Sequence, residues 1–159
     1  MGRDLSTPHA RTERAHAALK MTISMAETFQ FEIVTPERQV VKDVAEEMEI
    51  PGRDGYLGIL PGHAPLITEL GVGEITYRNA NVTHRFAVAW GFAEVLPDKV
   101  TILAETAERP AEIDVERAKK AKGRAEQILK TPDASTDYPR TLDALARAEN
   151  RIVVAGKPE

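Results

Sequence analysis

The polar and apolar positions change period twice along this chain. In FQFEIVT, residues 29–35, Phe29, Phe31 and Ile33 share one face, the period of two that marks a half-buried strand. Pro36 and Glu37 read as a turn. VVKDV and AEEMEI continue the alternation, with Glu47 and Glu49 facing away from Met48 and Ile50. GEITYR and VTHRFAVAW are separated by Asn79, Ala80 and Asn81, a hairpin turn position that tolerates positive φ. GFAEVL and KVTILAE pair across Pro97 and Asp98. Short strands with turn signals between them predict a β-sandwich or flattened barrel of about nine or ten strands, occupying residues 25–110.

Beyond Arg109 and Pro110 the period becomes helical. In IDVERAKKAKGRAEQILK, Asp114 stands where a helix cap belongs, and Ala118, Ala121, Ala125, Ile128 and Leu129 fall on one face. TPDASTDYP interrupts with two prolines. RTLDALARAENRIVVAG then gives a second stripe of Leu142, Leu145, Ile152 and Val153, with Gly156 as the stop. Residues 111–159 therefore predict an antiparallel α-helical hairpin following the sandwich. Its seam is mostly alanine, which buries little area per residue, so the hairpin is expected to detach or rearrange readily.

Residues 1–24 are polar and show no packed pattern. Met21 and Met25 both offer alternative starts, and the reading expects a disordered extension or start-site artefact, with the functional chain beginning near Met25.

Composition narrows the classes. The chain has 159 residues, 42% of them hydrophobic, enough for a core, and 29% charged, with a net charge of −4. That balance argues against nucleic-acid binding, which rests on cations neutralising phosphates. The absence of cysteine removes disulfides, thiolate metal sites and cysteine nucleophiles. The longest apolar run, FAVAWGFA at residues 86–93, is strand-sized and far short of the roughly 20 residues of a membrane span, so no direct insertion is expected. The charge is also divided. Residues 26–110 hold 7 Lys and Arg against 14 Asp and Glu, whereas residues 113–159 hold 10 against 8.

Three constellations are candidates for chemistry. Gly52, Gly55, Gly58 and Gly62 lie in GRDGYLGILPGHAPLITEL, but no G-x-x-x-x-G-K-[ST] string leads into a helix, so the glycines read as turn and bulge positions. His63 has Asp54 and Glu69 near it in sequence but no serine in the stretch, so a structural or partner-contact role outweighs a catalytic one. Arg117 and Arg124 on the first helix, and Arg147 and Arg151 on the second, could converge on a polyphosphate, with Glu108 and Asp114 at the hairpin entrance. Periodicity alone favours a solvated charged face instead, with Arg147 and Arg151 pointing away from the Leu142/Leu145 stripe.

Three segments together resemble the epsilon-subunit family of bacterial F-type ATP synthases, called delta in mitochondria. They are FQFEIVTPERQVV, the string GYLGILPGHAPLIT at residues 55–68, and the helical pair IDVERAKKAKGRAEQIL and ALARAENRIVVA. The resemblance implies a non-catalytic subunit of the central stalk. Its sandwich would bind the gamma subunit and rest on the c-ring, coupling proton flow to rotation. Its hairpin would fold against the sandwich or extend toward the alpha and beta subunits and inhibit ATP hydrolysis. It implies a peripheral place on the cytoplasmic side of the cell inner membrane. Gly55, Tyr56 and His63 would form the c-ring and gamma contact, although some relatives carry a carboxylate where this chain has Tyr56.

No cofactor is required by the resemblance, but some relatives bind regulatory ATP through [IL]-D-x-x-R-A. Ile113, Asp114, Arg117 and Ala118 match that motif, and Glu108, Arg124, Arg147 and Arg151 match the residue types at the family's other ligand positions. Two other classes stand as alternatives: a free-standing nucleotide-sensing binding protein, and a small hydrolase built on His63.

Overall fold

A computed structural model of the chain describes residues 28–158. The expected extension at residues 1–24, with Met21 and Met25, lies outside the described residues. The first unit is built from strands β1 (Phe29–Val34), β2 (Gln39–Ala45), β3 (Glu47–Gly52), β4 (Gly55–Ile59), β5 (Leu66–Asn79), β6 (Val82–Val95) and β7 (Lys99–Glu108). They hydrogen-bond in the order β2-β1-β7-β6-β5-β3-β4, with β1 parallel to β7 and every other pairing antiparallel.

This sheet folds over on itself. The rings of Phe31 on β1 and Tyr77 on β5 lie 4.4 Å apart, although β7 and β6 stand between those strands in the ladder. The Tyr77 hydroxyl donates to Asp43 Oδ2 on β2 at 3.0 Å, and Asn79 donates to Asp43 Oδ1 at 3.1 Å. The two halves thus enclose one core, to which all seven strands contribute, as in a sandwich. Phe29, Phe31 and Ile33 are all buried, as their alternation predicts.

Seven strands replace the expected nine or ten among the described residues, because β5 and β6 each run for 14 residues through positions that read as breaks. VTHRFAVAW and GFAEVL are one strand. Leu70 pairs with Gly91 and Val72 with Ala89, so Gly71 and Trp90 fall outside the regular ladder. On β6 the even positions Phe86 and Val88 face the core, and so do the odd positions Ala93 and Val95. The irregularity at Trp90 and Gly91 shifts the facing by one residue while the strand bends onward. A Cβ at Gly91 would lie 1.9 Å from the Leu103 carbonyl oxygen, which explains the glycine there. The hairpin turn joining β5 to β6 is Ala80 and Asn81, both at positive φ, as the primed turns require.

A short 3₁₀ turn at Pro110–Glu112 leads into two helices, α1 (Val115–Lys130) and α2 (Tyr138–Ala155). Asp114 caps α1 by accepting from Arg117 N at 2.9 Å, and Asp137 caps α2 by accepting from Arg140 N at 3.1 Å. Pro139 lies inside the first turn of α2 rather than ahead of it, where its missing N–H costs nothing.

The predicted stripe of α2 is corrected by the structure. Leu142 and Val153 are exposed, and the buried positions are Ala148 and Val154, with Arg147 and Arg151 on the inward side. The packing partner is a sheet lined with alanines, over which arginine stems can lie with their charged ends at the cleft. On α1, Ala118 and Ala125 are buried as expected, whereas Ile128 is exposed. The helices meet each other through Lys122 and Glu149 at 3.3 Å, and α2 reaches the sandwich through Asn150 Nδ2, which donates to the Gly73 carbonyl at 2.8 Å. Among the described residues, no helix is long and apolar enough to cross a membrane.

Candidate functional site

A cleft of about 1080 Å³ opens between the hairpin and the end of the sandwich formed by β6 and β7. Its floor is alanine: Ala87, Ala89 and Ala107 from the strands, Ala121, Ala125, Ala144 and Ala148 from the helices. Small side chains let the backbones approach and leave the rim to long cationic ones. Arg117 and Arg124 enter from α1, Arg147 and Arg151 from α2, and Glu108 from the end of β7. The structure therefore brings five of the six predicted ligand residues to one cavity, from three elements distant in sequence.

The sixth, Asp114, does not line this cleft. Its carboxylate caps α1, and it borders a second, shallow depression along that helix with Lys120 and Gln127, which Arg117 and Arg124 line as well as the cleft. The reading of Arg147 and Arg151 as part of an outward-pointing charged face is likewise corrected: both turn inward because α2 packs through its alanine side.

The arginines differ in how they are held. Arg151 Nη2 donates to Glu108 Oε1 at 2.6 Å, while Arg151 Nε is buried without a hydrogen-bond partner. The Arg147 guanidinium lies 4.6 Å from the centre of the Trp90 ring. Among the described residues, Arg117 and Arg124 make no ion pair. The cleft is lined by six arginines, Arg38, Arg117, Arg124, Arg140, Arg147 and Arg151, against four glutamates, Glu37, Glu105, Glu108 and Glu112. The cationic excess suits a multiply charged anion, since guanidinium forks match phosphate oxygens in twos.

Sequence reasoning missed Arg38, Arg140, Trp90 and Asn150. Arg38 and Arg140 both line the cleft. Arg140, Arg147 and Arg151 keep one helical face by their spacing, so periodicity could have found Arg140. Arg38 is tied to Glu112 at 2.8 Å by a contact spanning the sandwich and the linker, for which no local pattern exists. Backbone and side-chain bonds to Arg109 and Arg38 outweigh burial and hold the Glu112 carboxyl below its ordinary range.

The second predicted region lies on β4, an edge of the sheet. Gly55 opens the strand after a turn at Arg53 and Asp54. Tyr56 is 54% exposed, yet its hydroxyl accepts a hydrogen bond from Glu74 N at 3.0 Å, tying the edge to β5. His63 follows a tight turn in which Pro61 and Gly62 occupy the central positions, His63 N donates to Leu60 O at 3.1 Å, and Gly62 adopts φ +83°. Gly62 N also donates to Pro97 O at 2.8 Å, anchoring this loop to the β6–β7 turn. The His63 ring bonds the Ala64 carbonyl at 2.7 Å and, among the described residues, no carboxylate. Leu60 and Ile67, close to it in sequence, are exposed, and Ile67 is 72% accessible. The structure leaves His63 without the orienting acid that a general base needs.

Comparison with known proteins identifies both domains. The model of the ATP synthase delta/epsilon chain β-sandwich domain matches residues 28–110, and that of the delta/epsilon chain long α-helix domain matches residues 111–156. An ATP synthase epsilon chain of Koribacter versatilis is 73% identical over 107 residues, covering 67% of this chain and 75% of that one. One from Solibacter usitatus is 43% identical over 133 residues, covering 84% and 99%. Among solved structures, a chain of the Euglena gracilis mitochondrial ATP synthase, in an assembly of OSCP, F1 and c-ring, superposes with a TM-score of 0.69. It is 21% identical and covers 78% of this chain and 79% of that one, a likeness of fold. With both domain models matched in order across the sandwich and the hairpin, the chain belongs to the ATP synthase epsilon-chain family.

Proposed function

We propose that this chain is a non-catalytic subunit of the central stalk of the proton-translocating ATP synthase, and that its hairpin is an ATP-responsive brake on hydrolysis. The observation that carries the second half is the convergence of Arg117, Arg124, Arg147, Arg151 and Glu108 on one cleft between hairpin and sandwich. ATP placed there bridges α1, α2 and β7, and so favours the folded hairpin. Because the cleft exists only while the hairpin is docked, the ligand has the differential affinity that a population shift demands. Without ATP the hairpin leaves its thin alanine seam, extends toward the alpha and beta subunits, and restrains hydrolysis.

The first half is supported by family membership and by the edge surface. Exposed Tyr56 on β4, Leu60 and half-buried His63 on the anchored turn after it, and exposed Ile67 at the start of β5 are suited to contacts with the gamma subunit and the c-ring. Through those partners the chain sits peripherally on the cytoplasmic side of the inner membrane. Isothermal titration of ATP into the chain, beside Arg117→Ala, tests the nucleotide reading. Saturable heat in the chain with weaker affinity in the variant supports it, and absence of heat from the chain at millimolar ATP sinks it. Failure of the chain to bind the isolated gamma subunit would sink the stalk assignment separately.

A further inference from the structure

Trp90 is the chain's one tryptophan, and its backbone stands at φ +50°, a left-handed conformation that bulky residues rarely adopt. The bend in β6 demands it. Gly91 follows at φ +117°, and the Leu103 carbonyl occupies the space a Cβ there would need, so the chain cannot relax at the next residue. Glycine at position 90 would meet the same backbone demand without strain. The indole ring must therefore offset what its backbone costs, and the contact it makes is with the hairpin: Arg147 of α2 lies over its face, 4.6 Å from the centroid.

We propose that Trp90 is a docking platform, a positioning residue whose ring holds α2 against the sandwich through Arg147. The locked bend fixes the direction of the half-buried ring, so the platform is set before the helix arrives. Beneath it the apolar seam is thin. Beyond the linker residue Ile113, the buried hairpin side chains are Ala118, Ala125, Ala148 and Val154. Against so little area, the polar contacts of the hairpin carry weight, and the aromatic–guanidinium contact stands beside those of Asn150 with Gly73, Arg151 with Glu108 and Lys157 with Glu74. One helical turn further on, Arg151 meets Glu108, so α2 is held at two successive inward positions. This role requires no nucleotide and stands whether or not ATP binds the cleft.

The test is amide hydrogen exchange of α2, with thermal melting of the sandwich, on the full chain and on Trp90→Gly, Trp90→Phe and Arg147→Ala. In Trp90→Gly, α2 amides should exchange at least about threefold faster, while the sandwich melts at the same or a higher temperature because strain is relieved. Trp90→Phe should restore most of the protection, since it keeps an aromatic face. Arg147→Ala should speed α2 exchange as Trp90→Gly does, with sandwich melting unchanged. Unchanged α2 exchange in Trp90→Gly or in Arg147→Ala overturns the proposal. So does a lower melting temperature in Trp90→Gly, because the ring would then be a member of the core.

Discussion

Arg151 Nη2 on α2 meets Glu108 Oε1 at the end of β7 at 2.6 Å, with their side chains 27% and 26% exposed. The pair is the most sheltered ion pair across the cleft, and it joins the hairpin to the sandwich. Partial burial screens it less than a surface pair, and truncating either partner leaves the other poorly solvated. Glu108→Ala and Arg151→Ala should each loosen the hairpin. A double-mutant cycle on hairpin opening should return a coupling of about 1 kcal/mol. Coupling indistinguishable from zero would mean the pair is a bystander and the hairpin is held elsewhere.

Arg117 and Asp114, three residues apart in the same motif, should behave differently. Asp114 accepts from the Arg117 backbone, whereas the Arg117 side chain is free to meet a ligand. Arg117→Ala should reduce ATP affinity by about tenfold, the loss of one charge-assisted fork, with helix content unchanged. Asp114→Ala should cost about 1 kcal/mol of hairpin stability through the lost cap, and Asp114→Asn, which also caps, should cost almost none. Circular dichroism beside calorimetry separates the two. If Asp114→Asn abolished ATP binding with the helix intact, Asp114 would be a ligand after all.

What was legible in the sequence follows what is local. Phe29, Phe31 and Ile33 announce their strand because alternation needs only neighbouring residues, and Asp114 announces a helix start for the same reason. The bend at Trp90 could not be read, because its cause is the approach of the Leu103 carbonyl from another strand. A tryptophan before a glycine looked like a strand end and gave too many strands. The α2 stripe failed for a related reason. Helical periodicity finds the most apolar face, Leu142 with Val153, but the helix docks through Ala148 and Val154, flanked by Arg147, Asn150 and Arg151, which bond groups of the sandwich that no local pattern reveals. The arginines were legible as types at plausible spacing, and the motif resemblance singled them out, yet only the packing of α2 turned Arg147 and Arg151 inward. Tyr56 was expected simply as a contact residue, and its bond with Glu74 N, eighteen residues away, has no local trace.

Glu74 should make docking sensitive to acid. It is largely buried on β5 and holds two cations, Arg85 on β6 and Lys157 just beyond α2. Burial pushes its carboxyl upward, but hydrogen bonds and charge from Lys157 and Arg85 prevail and hold it below the ordinary value of 4.5. The folded-state pKa is thus depressed. The stabilisation is complete above the ordinary glutamate range and is lost as pH falls through 4.5 toward the folded value. Since Lys157 belongs to the hairpin, the loss should appear as undocking before the sandwich melts. The chain has no cysteine of its own, so dyes on Asp98→Cys and Ala134→Cys can report the separation. That distance should lengthen between about pH 6 and about pH 3, and Glu74→Gln should flatten the response. An equally steep response in Glu74→Gln would place the acid sensitivity on another carboxylate.

Removing the hairpin should leave the sandwich standing. Its core draws on all seven strands and ends at Ala107, with no residue from the helices. The hairpin joins a separate small cluster in which Ala87 meets Ile113 and Val154. Ending the chain at Pro110 therefore takes no side chain from the main core. It exposes the alanine floor of the cleft and frees Glu108 and Glu74 from their partners Arg151 and Lys157, which are changes at a surface. The shortened protein should melt cooperatively within a few degrees of the full chain, since lost docking at so small a seam removes little apolar burial. It should bind the gamma subunit as the full chain does, and it should neither bind ATP nor restrain hydrolysis when assembled. A truncated chain without a cooperative transition would show that the helices are part of the folding unit. In that case a hairpin extending away from the sandwich would not leave it folded, and the proposed brake would lose the physical independence of its two parts.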